Sequence, residues 1–513
     1  MTEGANRTQA IETLERHVLR GAMWSGVNTL LMKVANIAVM ATVVRIITPE
    51  DFGVFAIALV VHAVVSSIGE LGLSSCIARR DLEPDKVAPT VALLSLISSF
   101  VLALGMAFAA EPLAVALGSS NAAEPIRVLS ISVFLGGVFT VPGALLVRDF
   151  RQDKVLLAGG VAFLPMNALL LLLAMAGDGA MAFAWSRVAG QLISGIVMAM
   201  SVKLRYWPGL DSTQVIPILR FGLPLAGANL LSYVLLNADY AIIARSLGPG
   251  ELGIYMLAFT VASWSTSVLS TTINSVAMPA FSARGSDTAG LQLMLKRAAT
   301  LVASIAFPIG AMTVALAHPL ISVLYGDAWV RAAPLLSVLA VYGAVFSLSL
   351  LMSNLLVGTG RSQAVIAVQA FWIVSLVPAV ALSVSISGLI GAAYAHVAVI
   401  ILIVLPAYVF FVRRLLPSAA SILFTSARLP FAWAVAAGVC AAWVSALTGQ
   451  GILGLLAGSL AGGLIYTILM LPTVRKLLPE LPSGKVKRLA ECYDRLKETG
   501  SSKVADIRNR HGK

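Results

Sequence analysis

Arg45-Ile-Ile-Thr-Pro-Glu-Asp-Phe-Gly-Val-Phe55 recurs 200 residues later as Arg245-Ser-Leu-Gly-Pro-Gly-Glu-Leu-Gly-Ile-Tyr255, without a gap. Pro49 matches Pro249, Gly53 matches Gly253, and an aromatic closes each copy. A long apolar run precedes each stretch and another follows it. Each copy therefore reads as a tight turn between two membrane helices, because Pro and Gly end one helix and release the next. The same turn after two long apolar segments predicts an internal duplication that sets the architecture.

Working outward, the chain of 513 residues is 58% hydrophobic and only 12% charged. A soluble domain of that size needs far more charged surface. Many runs reach the ~20 apolar residues that cross a bilayer core. The expected class is an all-α integral membrane protein, with no soluble catalytic domain. Cys76, Cys440 and Cys492 are scattered and form neither a metal spacing nor a disulfide framework. The polar segment 1–20 is unlike a secretory signal peptide, so the first span is expected to be retained as an anchor. In that segment Ile11, Leu14 and Val18 fall at helical spacing, which suits a short helix on the membrane surface.

About fourteen spans are expected, at roughly 21–46, 54–76, 87–110, 125–147, 155–177, 179–202, 216–246, 252–279, 291–316, 333–357, 362–384, 387–412, 428–447 and 451–472. The charges orient them. Of 36 Lys and Arg residues, only Arg45, Arg245 and Arg331 fall in odd-numbered loops. Lys33, Arg127 and Arg187 lie within or at the ends of spans, and all the others lie in even-numbered loops or beyond the outermost spans. By the positive-inside rule both termini are cytoplasmic. The net charge of +12 is then chiefly a topology signal, and no nucleic-acid partner is expected.

The duplication reaches further. Ala144-Leu-Leu-Val147 with Arg151 matches Asn354-Leu-Leu-Val357 with Arg361, and Ala182-Phe-Ala-Trp185 matches Ala393-Tyr-Ala-His396. Spans 1–6 repeat as spans 7–12 in the same orientation, so the lobes should be related by an axis along the membrane normal, with a cavity between them. The expected organisation is a cytoplasmic segment 1–20, an N-lobe 21–202, a linker 203–215, a C-lobe 216–412, two further spans within 428–472, and a basic cytoplasmic tail 473–513. In the tail Val486, Leu489, Tyr493 and Leu496 share one stripe among Lys and Arg, which fits an amphipathic helix on anionic lipid or a partner-docking helix.

Polar residues inside apolar spans are the candidate sites. Span 1 carries Thr29, Lys33 and Asn36 on one face, and span 7 carries Asn229, Tyr233, Asn237 and Tyr240. Span 2 carries His62, Ser66 and Glu70 at i, i+4 and i+8; span 8 is rich in Ser and Thr. Such stripes suit the wall of a polar passage, since polar groups facing lipid are costly. They also suit interhelical hydrogen bonding, and His62 and His396 suit packed, hydrogen-bonded roles. Lys33 stands about twelve residues from either end of its span, too deep for easy snorkelling, and is the leading candidate for an anion contact. Arg187, Arg127, Arg45 and Arg245 follow toward the outer end, although Arg45 and Arg245 equally suit turn locks. Glu70, His62 and Asp239 are candidates for ion coupling. Glu70 equally suits an ion pair with Arg79 or Arg80, and Asp239 a structural pair near the outer mouth. There is no P-loop, no H-E-x-x-H and no nucleophile motif. The expectation is a transporter without enzyme activity, cofactor or metal, with a channel or a membrane scaffold as competing classes.

With these residues in view, the chain resembles a known family. Arg45 to Phe55, Gly69-Glu-Leu-Gly-Leu73 with Arg79, Asn237-Ala-Asp239 and Leu247 to Tyr255 resemble the polysaccharide transporter family, the Wzx-type oligosaccharide flippases of the MOP superfamily. The resemblance covers about residues 20–472. It implies a MATE-like, V-shaped, two-lobed fold in the bacterial inner membrane. It also implies flipping of an undecaprenyl-pyrophosphate-linked oligosaccharide from the cytoplasmic to the outer leaflet by alternating access. The product served would be exopolysaccharide, capsule or O-antigen. Membrane lipids, a polysaccharide polymerase and co-polymerase, and a proton or sodium ion are the implied partners. Lipid II flippases, also with fourteen spans and a cationic cavity, are the nearer rival; multidrug exporters of the same superfamily are the more distant one.

Overall fold

The computed structural model describes residues 34–69, 72–78, 83–204, 206–282, 287–449 and 451–477. The expected surface helix before residue 21, Lys33, Glu70, Arg79, Arg80 and the tail beyond 477 lie outside them. Among the described residues every regular element is helical. Eleven helices among the described residues are long and apolar enough to cross a membrane. The chain is a multi-pass membrane protein.

The first repeat begins with α1 (Val34–Val44), a shorter apolar helix. It continues with α2 (Pro49–Gly69), α3 (Leu73–Ala78), α4 (Pro84–Phe108), α5 (Ala110–Ala116), α6 (Ala123–Arg148), α7 (Gln152–Ala176) and α8 (Ala180–Ser201). The second repeat comprises α9 (Ser212–Leu236), α10 (Ala238–Leu247), α11 (Pro249–Ser282), α12 (Thr288–Tyr325), α13 (Ala332–Gly358), α14 (Ser362–Ser387), α15 (Leu389–Val399) and α16 (Leu405–Arg413). Then come α17 (Ala419–Thr448) and α18 (Ile452–Leu477), packed side by side.

Several expected spans differ from the structure for local reasons. Expected span 7 is two helices, α9 and α10, parted at Asn237. Asn237 leaves the helical region, at φ −114° and ψ 8°, while its side-chain amide donates back to the Tyr233 carbonyl at 2.7 Å. Expected span 12 contains a π-helical turn, Ile400–Val404, between α15 and α16. Helix α12 runs on through Pro308 and Pro319 to Tyr325, beyond the expected end near 316; membrane helices tolerate such prolines where the freed carbonyls find other donors.

The described chain divides into two compact units. One holds the described residues of Met1–Ala258 with Ile321–Ala332 and Leu376–Ala395. The other holds Phe259–Leu320, Ala333–Ser375 and the described residues of His396–Lys513. In the first unit α4 packs on α6, α6 on α8 and α7 on α8. Small residues permit the approach: Gly137 of α6 lies against Ser95 and Ser99 of α4, and the Ser95 hydroxyl donates to the Gly137 carbonyl at 3.0 Å. The linker is strapped to this bundle. Gly209 N–H donates to the Pro89 carbonyl at 3.2 Å, and Asp211 N–H donates to the buried Thr90 hydroxyl at 3.2 Å. Tyr206 packs on the core around Leu73, Ile77 and Val91, and burial pushes its hydroxyl up to about 12.

The duplicated turns meet inside the first unit. Gly53 lies against the Pro249 carbonyl and Gly253 against the Pro49 carbonyl, so the starts of α2 and α11 cross backbone to backbone. The arginines that open each copy are exchanged. Arg45 donates through Nε to the Leu324 carbonyl at 3.0 Å, and through Nη2 to the Val323 carbonyl. Arg245 donates through Nη1 to the Ala116 carbonyl at 2.8 Å. Each therefore serves carbonyls at the end of a helix from the other repeat, where the intrahelical donors have run out. Trp329, fully buried, donates to the Val44 carbonyl at 2.8 Å and sets its ring edge-on to Phe52.

The repeats also share a turn that fragment matching alone leaves hidden. Phe150 and Gly360, 210 residues apart, both take left-handed φ, at 55° and 76°. In both, the following arginine N–H bonds to the carbonyl five residues back, Arg151 to Leu146 and Arg361 to Leu356. These are matching Schellman ends of α6 and α13.

Candidate functional site

A cavity of about 1140 Å³ lies within the first unit. Several helices line it, and the polar faces that matter can be read from spacing. Helix α2 presents His62 and Ser66, whose Nε2 and Oγ are 3.3 Å apart, together with Ser67. From α6 come Ser132, Gly136, Thr140 and Gly143, one small or hydroxylated residue per turn. On α8 the wall is Arg187, Gln191 and Ser194, at i, i+4 and i+7. The break between α9 and α10 adds Tyr233, Asn237 and Tyr240. Phe139, Phe163, Met166 and Met198 supply apolar wall between them. Hydroxyls and amides are set among small and apolar residues that make up the larger part of the wall, and Arg187 is the cation among the described lining residues. No acidic partner for Arg187 occurs among the described residues. An ionisable side chain at this depth, facing a cavity and not lipid, is the pattern of a functional group in a membrane protein.

The expected site residues fall into separate places. His62, Arg187, Tyr233 and Asn237 share the cavity. Asn229 is half-buried on α9 and Asn36 is exposed on α1, both outside the cavity lining. Arg127 is paired with Glu124, one turn away, and stands 3.9 Å from Glu111. Arg45 and Arg245 hold the helix-end carbonyls described above. Asp239 is buried on α10 and accepts from the Tyr255 hydroxyl at 3.0 Å; Tyr240 packs edge-on against the same tyrosine ring. On α11, Ser263, Thr266, Ser267 and Ser270 donate to carbonyls of their own helix. Lys33 and Glu70 lie outside the described residues.

Gln191 was not among the expected residues. Its signal is nevertheless in the sequence, since it stands four residues after Arg187 and three before Ser194 on one face. The Ser132 hydroxyl donates to Gln191 Oε1 at 2.6 Å, tying α6 to α8 across the cavity wall.

The second unit carries an aromatic cluster. Tyr342 and Phe259 flank the buried His396, with ring centroids 5.4 and 5.7 Å from it, and Phe346 stacks on Tyr342.

A family model described as polysaccharide biosynthesis protein matches residues 42–334, more than half of the chain. The chain belongs to that family. Among curated proteins it is 28% identical over 490 residues to the succinoglycan biosynthesis transport protein ExoT of Rhizobium meliloti, covering 90% of this chain and 94% of that one. It is 24% identical to the lipopolysaccharide biosynthesis protein WzxC of Escherichia coli, over 82% of this chain and 86% of the other. The fold matches that of the lipid II flippase MurJ in an inward closed conformation, with TM-score 0.72 at 13% identity, over 88% of this chain and 99% of that one. It also matches an inward-facing multidrug resistance MATE transporter of the MOP superfamily, with TM-score 0.60 at 18% identity, over 76% and 96%. The all-helical, MATE-like fold is thus the one that the duplicated turns and the family resemblance led us to expect.

Proposed function

We propose that this protein flips an undecaprenyl-pyrophosphate-linked oligosaccharide from the cytoplasmic to the outer leaflet of the bacterial inner membrane, for the synthesis of a surface polysaccharide. The observation that carries the reading is the cavity: about 1140 Å³, with hydroxyls and amides spaced along a largely apolar wall, and with Arg187 unpaired among the described residues. Moving a sugar hydroxyl into hydrocarbon without a partner costs about 4–8 kcal/mol. An oligosaccharide carries many, so the crossing needs polar partners spaced along its route, while the polyprenyl tail can stay in lipid. The cavity exceeds the roughly 300–1,000 Å³ of a pocket for a drug-sized ligand. Membership of a polysaccharide biosynthesis family, with a succinoglycan transport protein among the relatives, supports carbohydrate cargo. The likeness to the lipid II flippase, at 13% identity, concerns the fold alone.

In this reading the protein has no enzyme activity, and both termini are cytoplasmic. The repeats 21–202 and 216–412, joined by the linker 203–215, alternate access, with residues 428–472 and the tail outside the repeat. Lys33 meets the anionic part of the cargo, and Asn36, Asn229, Tyr233 and Asn237 line its route. Arg127, Arg45 and Arg245 stand at the outer end. Glu70, His62 and Asp239 are the groups proposed to couple transport to a proton or sodium ion, and a polymerase and co-polymerase receive the product. The test is transport by the purified protein in vesicles loaded with a fluorescent lipid-linked oligosaccharide. Lys33→Arg should retain most transport and Lys33→Met should lose most of it. Absence of transport by wild type with any lipid-linked oligosaccharide would refute the reading, and lipid II as the sole transported cargo would favour the peptidoglycan alternative.

A further inference from the structure

Gln191 follows Arg187 by one helical turn, and its acceptor is already engaged by the Ser132 hydroxyl at 2.6 Å. In this arrangement Nε2 is the end of the amide left without a protein acceptor among the described residues. Nε2 lies over the bare Cα of Gly136, where even a Cβ would come to 3.3 Å of it. No described residue accepts a hydrogen bond from Nε2 or from the Arg187 guanidinium. Both groups line the same cavity. Two neighbours therefore offer donors, and neither has an engaged acceptor on that side.

Donor-only neighbours call for an acceptor-only ligand. A sugar hydroxyl is donor and acceptor at once, and bound here it would still have to place its own O–H. A carboxylate accepts at both oxygens, is planar like the guanidinium, and carries one charge against one. We propose that Arg187 and Gln191 form a two-donor fork that reads a carboxylate on the carbohydrate part of the cargo, a uronic acid or another acidic sugar. Ser132 is the positioning residue and Gly136 supplies the room. This inference rests on the flippase reading and adds the chemical class of the sugar.

Depth separates the carboxylate from the phosphates of the carrier. Arg187 stands fourteen residues from the Ser201 end of α8, about 21 Å at 1.5 Å per residue. By the charge pattern that end is cytoplasmic. A pyrophosphate tethered to a tail in the cytoplasmic leaflet stays near it, whereas the sugars farther along the chain reach the fork.

The experiment uses the full-length protein in lipid nanodiscs and three probes. They are a trisaccharide ending in glucuronate, the same trisaccharide as its methyl ester, and inorganic pyrophosphate. Binding is followed by calorimetry. The ester keeps the hydroxyls, removes the charge and adds one methyl group. Wild type should bind the acid about tenfold more tightly than the ester, the scale of one charge-assisted hydrogen bond. Arg187→Met should bring that ratio close to one, and Gln191→Leu and Ser132→Ala should each reduce it several-fold with a much smaller effect on ester affinity. A general packing defect would weaken both probes together. Equal affinity of wild type for acid and ester would overturn the fork. So would pyrophosphate displacing the acid with equal or greater affinity, because the site would then belong to the carrier. Transport in vesicles separates the two proposals. If wild type moves acidic and esterified lipid-linked cargo at equal rates, the fork fails and the flippase stands; if it moves neither, the flippase reading fails.

Discussion

Gly53→Ala should force apart the crossing of α2 and α11. A Cβ at Gly53 would collide with the Pro249 carbonyl oxygen, and would stand 2.5 Å from the carbonyl carbon and 3.0 Å from the Gly253 nitrogen. Non-bonded heavy atoms prefer about 3.5 Å, and the carbonyl oxygen is the nearest obstacle, so the two backbones must part by roughly 1.5 Å. A side chain could swing away, but the obstacle here is main chain on both sides. Phe52, Val54, Leu252, Ile254 and Tyr255 around the crossing are buried, and all lose contact when it opens. Overpacking a core costs about 1–3 kcal/mol, and the upper end applies to a rigid obstacle. Gly253→Ala meets the Pro49 carbonyl in the reciprocal way and should cost about the same. Because one separation relieves both collisions, the double variant should cost far less than the sum of the singles. Gly250→Ala, in the first turn of α11 with nothing within 4 Å of its Cβ, is the matched control and should unfold no earlier than wild type. The assay is thermal unfolding of purified protein in detergent, followed by tryptophan fluorescence. Unfolding of Gly53→Ala at the wild-type temperature, or strict additivity in the double variant, would refute the crossing.

Gly360→Ala should destabilise by about 1 kcal/mol, the cost of a left-handed residue with a Cβ, because its φ of 76° is the only penalty and its Cβ meets open space; thermal unfolding checks it. Asp211 accepts from the Thr213 hydroxyl at 2.6 Å and from the Thr213 N–H at 3.0 Å, and these bonds, the hydroxyl's first, hold its carboxyl below the usual range. Its contribution to the start of α9 is therefore fully present above the ordinary aspartate value and fades as pH falls through the lowered one. Protection of the Thr213 and Gln214 amides against hydrogen exchange, taken relative to the intrinsic rate at each pH, should fall on acidification in wild type and lose that dependence in Asp211→Asn. Phe346→Ala should cost about 2–3 kcal/mol, somewhat under the figure for a fully buried Phe because Phe346 is half-buried, and should leave unfolding cooperative; an unchanged unfolding temperature would show that the aromatic cluster contributes no packing.

Much of this was legible before any coordinates, and the reasons differ by residue. The repeat could be read because Pro49, Gly53, Pro249 and Gly253 are held by backbone geometry, and their types carry that geometry in plain sight. Arg187 and His62 stood out because ionisable residues inside apolar runs are rare. Gln191 did not, since an uncharged amide carries no such flag, and only the i, i+4 relation to Arg187 could have singled it out. The break at Asn237 was hidden because no Pro or Gly marks it; it shows only in the backbone angles of Asn237. Arg45 and Arg245 show a different limit. Their positions suit an outer rim and a turn lock equally well, and the carbonyls they hold lie 278, 279 and 129 residues away. Local pattern has no access to contacts at that separation.

The repeat also accounts for where the cavity is. At the spacing set by the matched turns, Ser132 and Gly136 of the first repeat correspond to Tyr342 and Phe346 of the second, and Leu59 corresponds to Phe259. Leu59, Ser132 and Gly136 line the 1140 Å³ cavity in the first unit, together with His62, one turn on from Leu59. Their counterparts meet ring to ring around His396 in the second unit. A serine and a glycine leave room and an exposed hydroxyl; a tyrosine and a phenylalanine fill the same wall with apolar surface. The two halves thus kept a common backbone, down to the matching Schellman ends at Phe150 and Gly360, and diverged in the volume of a few inward-facing side chains. The donors of Arg187 have no counterpart in the second repeat, where the same register, 211 residues on, holds Ala398. Duplication supplied the scaffold twice, and substitution at these inward positions gave the first repeat the room, the Ser132 hydroxyl and the Arg187 cation of this cavity.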